Sequence, residues 1–173
     1  MSRYQFKEVR VKLCEGNILY SDSPVNTPER AREMMRMIME DSDREEAYVI
    51  NLDNRCRPIN YHLVSVGSLD HVEVNFANVF KSAILSNANG IILLHNHPSG
   101  DPTPSDLDND LTARLRQAGG LMGIPLMDHV IIGAKGSSFS YYESGLFRTK
   151  RKGQGKCLKT SAQSSLFTPQ TEV

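Results

Sequence analysis

The four residues Ile91-Ile92-Leu93-Leu94 constrain the fold more than any other stretch. The run is too short for a buried helix, and it is apolar at every position. A strand with that pattern is covered on both faces, so it lies inside a sheet with helices packed above and below. The flanking segments agree with such an architecture. Ala47 to Leu52 and Tyr61 to Val66 read as two strands joined by the turn Asp53-Asn54-Arg55. Leu126 to Gly133 reads as another apolar strand, and Phe139 to Tyr142 as a last short one. Val9, Val11 and Leu13 alternate with Arg10 and Lys12, which predicts a half-buried strand near the start.

Helices fall between these strands. Thr27-Pro28-Glu29 is a helix start, with a capping hydroxyl, a proline at the first helical position and an acid near the positive dipole end. Met34, Met35, Ile38 and Met39 then form an apolar face that fits a core. Phe76, Val79, Phe80, Ala83 and Ile84 have helical spacing, and a third helix is predicted from about Ser105 to Leu121. Strands alternating with helices give an α/β domain. Its sheet is mixed, because the early strands form a hairpin.

The chain has 173 residues, and twenty Lys and Arg balance twenty Asp and Glu. A neutral balance argues against a general nucleic-acid or membrane-surface protein. No apolar run approaches the length of a transmembrane helix. The start, residues 1–10, is charged and lacks a signal-peptide stretch. The three scattered cysteines (Cys14, Cys56 and Cys157) argue against a disulfide framework and against a thiolate zinc site. The expectation is a soluble cytoplasmic protein without membrane contact. Charge is uneven, however. Residues 148–173 hold six bases against one acid and few large apolar residues. The expected organisation is one domain over residues 1–147 and a basic, disordered tail over 148–173, whose plain role is solubility and whose alternative is weak contact with nucleic acid.

The chemistry sits in His95-Asn96-His97-Pro98-Ser99-Gly100-Asp101-Pro102-Thr103-Pro104-Ser105-Asp106-Leu107-Asp108. His95 and His97 are two residues apart at the end of the buried strand, so both imidazoles leave on one face. Two histidines on one face can share a metal ion. Pro98 ends strand pairing, and Asp108, in the first turn of the next helix, can return a carboxylate to the same ion. Two imidazoles and a carboxylate leave one tetrahedral position for water, the open pattern of a catalytic zinc. Zinc would bring the pKa of that water to about 7. Ser105-x-x-Asp108 equally fits a helix capping box, and the spacing leaves Asp108 open as cap or ligand.

His-x-His-Pro followed after six residues by Ser-x-x-Asp resembles the metal motif of the JAMM metallopeptidases, also called MPN+ or JAB-domain proteins. The longer string beginning His95-Asn96-His97-Pro98-Ser99-Gly100 is similar to the bacterial RadC branch of that family. Further similar pieces are residues 65–69, 88–93, 126–133 and 138–146. The resemblance implies a cytidine-deaminase-like fold, a mixed sheet flanked by helices. It implies one Zn2+ held by His95, His97 and Asp108. It implies a glutamate general base at the start of the first hairpin strand, placed on Glu45 with Glu46 as competitor, and Ser105 as a residue that helps hold a tetrahedral oxyanion. The implied activity is hydrolysis of an amide bond in a peptide or protein substrate. Two departures stand out. The helix-hairpin-helix region of longer RadC proteins is expected to be missing here. Asn75-Phe76-Ala77-Asn78-Val79-Phe80 keeps the core positions of the family stretch but changes the polar ones.

A second class of function competes, a DNA-repair-associated or mobile-element accessory protein without hydrolytic activity, favoured only by the basic tail. A nucleobase deaminase fits poorly, because His71-Val72-Glu73 supplies half of that motif and the Pro-Cys-x-x-Cys half is absent. The letters His95-Asn96-His97 match the HNH nuclease name by coincidence. His62 and His129 read as structural groups, with Asp128 or His129 as a possible orienting partner for a ligand.

Overall fold

A computed structural model describes residues 10–14, 16–39, 42–67 and 74–147. Its elements run α1 (Pro28–Met39), β1 (Glu46–Leu52), β2 (Pro58–Val66), α2 (Phe76–Leu85), β3 (Gly90–Asn96), α3 (Asp106–Met122), β4 (Leu126–Ile132) and β5 (Ser138–Ser140), with a short 3-10 turn at Ala134–Gly136. The strands form one sheet in the order β2-β1-β3-β4-β5. β1 runs antiparallel to both β2 and β3, β3 runs parallel to β4, and β5 returns antiparallel. The sheet is mixed, with the apolar strand β3 at its centre, as the sequence pattern requires.

Alternation along β1 and β3 builds two cores. Tyr48, Ile50, Leu52, Ile92 and Leu94 face α1 and pack on Ala31, Met35 and Met39. Ala47, Val49, Ile91 and Leu93 face the other way, against Val79, Phe80 and Ala83 of α2 and Leu115 of α3. Each face removes a continuous apolar layer from water, the main favourable term in folding. The Thr27 hydroxyl accepts from the Arg30 amide at 3.4 Å and starts α1. Asn75 caps α2 by accepting from the Ala77 amide at 2.9 Å, so this polar departure from the family stretch serves a helix start. α3 ends at Gly123, in the left-handed conformation with φ 70°.

Three expectations change. Residues 10–14 form no strand; Val11 is 70% exposed and Leu13 45%, while Val9 lies outside the described residues. Alternation supplies a period but not a ladder partner, and the two sheet edges are taken by β2 and β5. β2 starts at Pro58, three residues before the predicted Tyr61, because an edge strand tolerates a proline. β5 is confined to Ser138–Ser140, and Tyr141-Tyr142 turn away from it. Cys56 is disulfide-bonded and Cys14 is free. A single bond is not a framework. Among the described residues no helix is long and apolar enough to cross a membrane. The tail 148–173 and the His71-x-Glu73 piece lie outside the described residues.

Candidate metal centre

The centre lies where β3 ends and α3 begins. Its first two members are adjacent on one face, as the period of two requires: His95 Nε2 and His97 Nε2 are 3.0 Å apart. The His97 amide still bonds to the Ile132 carbonyl of β4 at 2.9 Å, and Pro98 then ends the pairing. The loop folds back at Gly100 (φ 84°), whose amide bonds to the His97 carbonyl at 2.9 Å. This brings the Asp101 carbonyl within 2.8 Å of His97 Nδ1. A carbonyl only accepts, so Nδ1 of His97 carries a proton, and in the neutral ring Nε2 turns a bare lone pair to the centre.

Asp108 reaches the same point by way of the cap of α3. Its Oδ2 accepts from the Ser105 amide at 2.8 Å and from the Ser105 hydroxyl at 2.7 Å, and the Ser105 oxygen accepts in turn from the Asp108 amide. Its Oδ1 lies 3.1 Å from His95 Nε2, and Oδ2 lies 3.5 Å from His97 Nε2. The alternatives of cap and site member are therefore not exclusive, since the capping box is what aims the carboxylate. Burial alone would push the Asp108 carboxyl up. With the metal absent and the imidazoles protonated, hydrogen bonds from His95 and His97, joined by those from Ser105, outweigh it and hold the group well below the usual carboxylate range. The Asp108 carboxylate raises His97 in return, with the Asp101 carbonyl and the charge of Glu45 adding to the effect.

These three residues could hold a metal ion. A tetrahedral zinc with nitrogen and oxygen donors at about 2.0–2.1 Å keeps neighbouring donors about 3.3 Å apart. The separations here, 3.0 Å between the imidazole nitrogens, 3.1 Å from His95 to Oδ1 and 3.5 Å from His97 to Oδ2, lie near that edge. Two nitrogens and one carboxylate oxygen also suit zinc by donor type.

Glu45 precedes β1 directly and is 8% exposed. Ala47, two residues on, pairs with His95 across the ladder and belongs to the core on the α2 and α3 side. Alternation puts Glu45 on that side and Glu46 on the other. Glu46 Oε2 accordingly accepts from the hydroxyl of Tyr48, at 3.2 Å, beside the α1 core. Asn96 fastens this corner. Its Oδ1 accepts from the Glu46 amide at 2.8 Å and its Nδ2 donates to the Arg44 carbonyl at 3.0 Å. The peptide groups on both sides of Glu45 are thus tied to the residue that stands between the two histidines. The Glu45 carbonyl also accepts from the Gly67 amide of the segment after β2 at 2.8 Å.

Two participants, Asn96 and Thr112, escape a reading of spacing, whereas His129 and Asp128 are the residues offered as orienting partners. Asn96 reads only as the middle letter of a coincidental HNH. Thr112 sits four residues after Asp108 on the same helix face, a spacing that points inward, and its hydroxyl is 2.6 Å from the buried ring of His129. Burial holds His129 well below its ordinary value. Asp128 is a tie between β4 and the turn after β5, accepting from the Ser140 hydroxyl and from the amides of His129 and Tyr142. Burial raises its carboxyl to about 7, against the pull of those donors.

A mixed sheet whose central strand ends in His-x-His, with a carboxylate from the next helix start, defines a JAB-type domain. The sequence profile of the RadC-like JAB domain matches residues 25–146, and the chain belongs to that family. A UPF0758 protein of Thermotoga maritima is 42% identical over 124 residues, covering 72% of this chain and 53% of that protein. One from Desulfitobacterium hafniense is 45% identical over 131 residues, covering 73% and 58%. One from Syntrophomonas wolfei is 45% identical over 111 residues, covering 64% and 47%. The chain spans about half the length of the curated relatives it matches.

Proposed function

We propose that the domain is a zinc-dependent peptidase or isopeptidase, hydrolysing an amide bond in a peptide or protein. One observation carries this reading. The two imidazole Nε2 atoms and the Asp108 carboxylate converge on one point at 3.0–3.5 Å from one another, and a buried glutamate occupies the same side of the sheet. His95, His97 and Asp108 would hold the ion. Zinc, when bound, supplies a Lewis acid and an acidified water at neutral pH. Glu45 is the general base that takes the proton of the attacking water and passes it to the leaving amine. Ser105 keeps Asp108 aimed through the capping box. Holding an oxyanion, the role implied by the resemblance, would require its hydroxyl to leave Asp108.

Elemental analysis tests the first half. We expect about one zinc per chain, lost in a His95→Ala/His97→Ala double variant; equal zinc in both proteins sinks the reading. A panel of peptide and isopeptide substrates tests the second half. Glu45→Gln should keep its zinc and lose roughly two to four orders of magnitude in rate, the usual range for a general base. Glu46→Gln should stay close to wild type. A zinc-loaded protein inactive across the panel would move the assignment to an accessory protein.

A further inference from the structure

His129 has no part in the proposed hydrolysis, yet its ring touches the centre. Its Nε2 lies 2.8 Å from His95 Nδ1, and its Nδ1 lies 2.6 Å from Thr112 Oγ1. Thr112 Oγ1 is in turn 2.6 Å from the backbone carbonyl of Asp108. His129 is 0% exposed, His95 1% and Thr112 4%, so these contacts are shielded from bulk solvent. The Tyr141 ring stacks on the imidazole of His129 at 5.1 Å, with the planes 2° apart.

The protons in this chain follow from one fact. A carbonyl oxygen has no proton to give, so the Thr112 hydroxyl donates to Asp108. Its only hydrogen is then committed, and at 2.6 Å the Thr112 oxygen can only accept from His129. His129 Nδ1 therefore carries the N–H. A neutral imidazole has one N–H, so Nε2 of His129 is a bare acceptor. His95 Nδ1 must donate to it. His95 Nε2 keeps its lone pair, facing His97 Nε2 and Asp108 Oδ1 at 3.0 and 3.1 Å.

We propose that Thr112 and His129 are positioning residues that hold His95 in its Nδ1–H tautomer and so present its Nε2 lone pair to the metal. The proposal rests on the reading of His95 as a ligand. The relay is a closed circuit, starting at the backbone carbonyl of Asp108 and ending beside the carboxylate of the same residue. Without the Thr112 hydroxyl, His129 is free to move its proton to Nε2. It would then donate to His95 Nδ1, and the proton of His95 would move to Nε2, where it blocks coordination.

Thr112→Val removes the hydroxyl and keeps the shape; Thr112→Ser keeps the hydroxyl and removes the methyl. Zinc affinity is measured for the full chain by competition with a chelator. Thr112→Val should bind zinc roughly 10–100-fold more weakly, the usual cost of losing an outer partner of a ligand, and Thr112→Ser should bind like wild type. A packing role predicts the reverse order. Wild-type affinity in Thr112→Val, or equal losses in both variants, overturns the proposal. The unmutated protein supplies a second measurement. Long-range 1H–15N spectra should place the His129 proton on Nδ1, and a proton on Nε2 overturns the relay. If wild type binds no zinc, the ligand reading fails by itself, and the tautomer of His129 in the metal-free chain still decides the relay.

Discussion

Gly119 and Gly120 are neighbours in α3, and the same substitution should move stability in opposite directions. A Cβ added at Gly119 would stand 2.6 Å from the Ile124 carbonyl oxygen and 3.2 Å from the Leu126 amide, whereas one added at Gly120 meets nothing within 4 Å. Replacing helical glycine by alanine gains about 1 kcal/mol from the reduced entropy of the unfolded chain and better helix propensity. Gly120→Ala should collect that gain. At Gly119 the helix backbone lies against the entry to β4, and the Ile124 carbonyl accepting the contact is main chain that cannot rotate aside. Overpacking of this kind costs about 1–3 kcal/mol, so with the propensity gain subtracted Gly119→Ala should lose up to about 2 kcal/mol. For a chain of this size, 1 kcal/mol corresponds to about 2–4 °C in Tm. Thermal and urea denaturation of the two variants beside wild type is the assay. Equal shifts of the same sign would refute the claim that α3 is seated on β4 through a missing side chain.

Asn96→Ala strips the clamp from both peptides flanking Glu45. Zinc content should stay unchanged, and hydrolysis should fall by roughly 100-fold, the scale of a 1 Å misplacement of a reacting group. The Glu46 amide loses its acceptor, at a cost of about 1–3 kcal/mol in denaturant unfolding; unchanged stability and rate together would dismiss the clamp. Asp128 gives a pH signature. Its carboxyl is raised by burial from 3.8 to about 7, so between those values the folded protein binds more protons than the unfolded chain. Its contribution to stability therefore declines as pH rises through that window and is flat above it. Asp128→Asn cannot titrate, and its stability curve against pH should be flatter there; parallel curves for the two proteins would contradict the assignment.

What could be read beforehand separates by range of interaction. β3 was legible because a run apolar at every position has few alternatives, and its end was legible because Pro98 cannot extend a ladder. The shared face of His95 and His97 follows from local geometry, as does the start of α1 at Pro28. The double role of Asp108 was half visible, since spacing shows that Ser105 and Asp108 can meet but not that the same carboxylate also faces both histidines. Glu45 could be located only through family resemblance, because sequence neighbours such as Asp43 and Arg44 give the segment the look of a solvated linker. Val11 and Leu13 misled for the same reason: whether an alternating segment joins a sheet depends on a free edge elsewhere. His129 and Thr112 meet across 17 positions, and no local pattern announces such a contact.

The tie from Asn96 to the peptides around Glu45 has a mechanical meaning. Three consecutive residues at the end of β3 and just past it set both halves of the centre, His95 and His97 as proposed ligands and Asn96 as the fixing point of the proposed base. In an instrument, two parts that must keep their spacing are mounted on one datum, so that movement of the frame displaces them together. β3 is that datum. If the strand slides along α1 or against β4, the histidines and the glutamate travel as a unit and their separation is conserved. Only Asp108 is mounted on a different part, through the start of α3. The dimension with the loosest tolerance is therefore between helix and strand, and displacement of α3 would open the metal ring while leaving the base where it was.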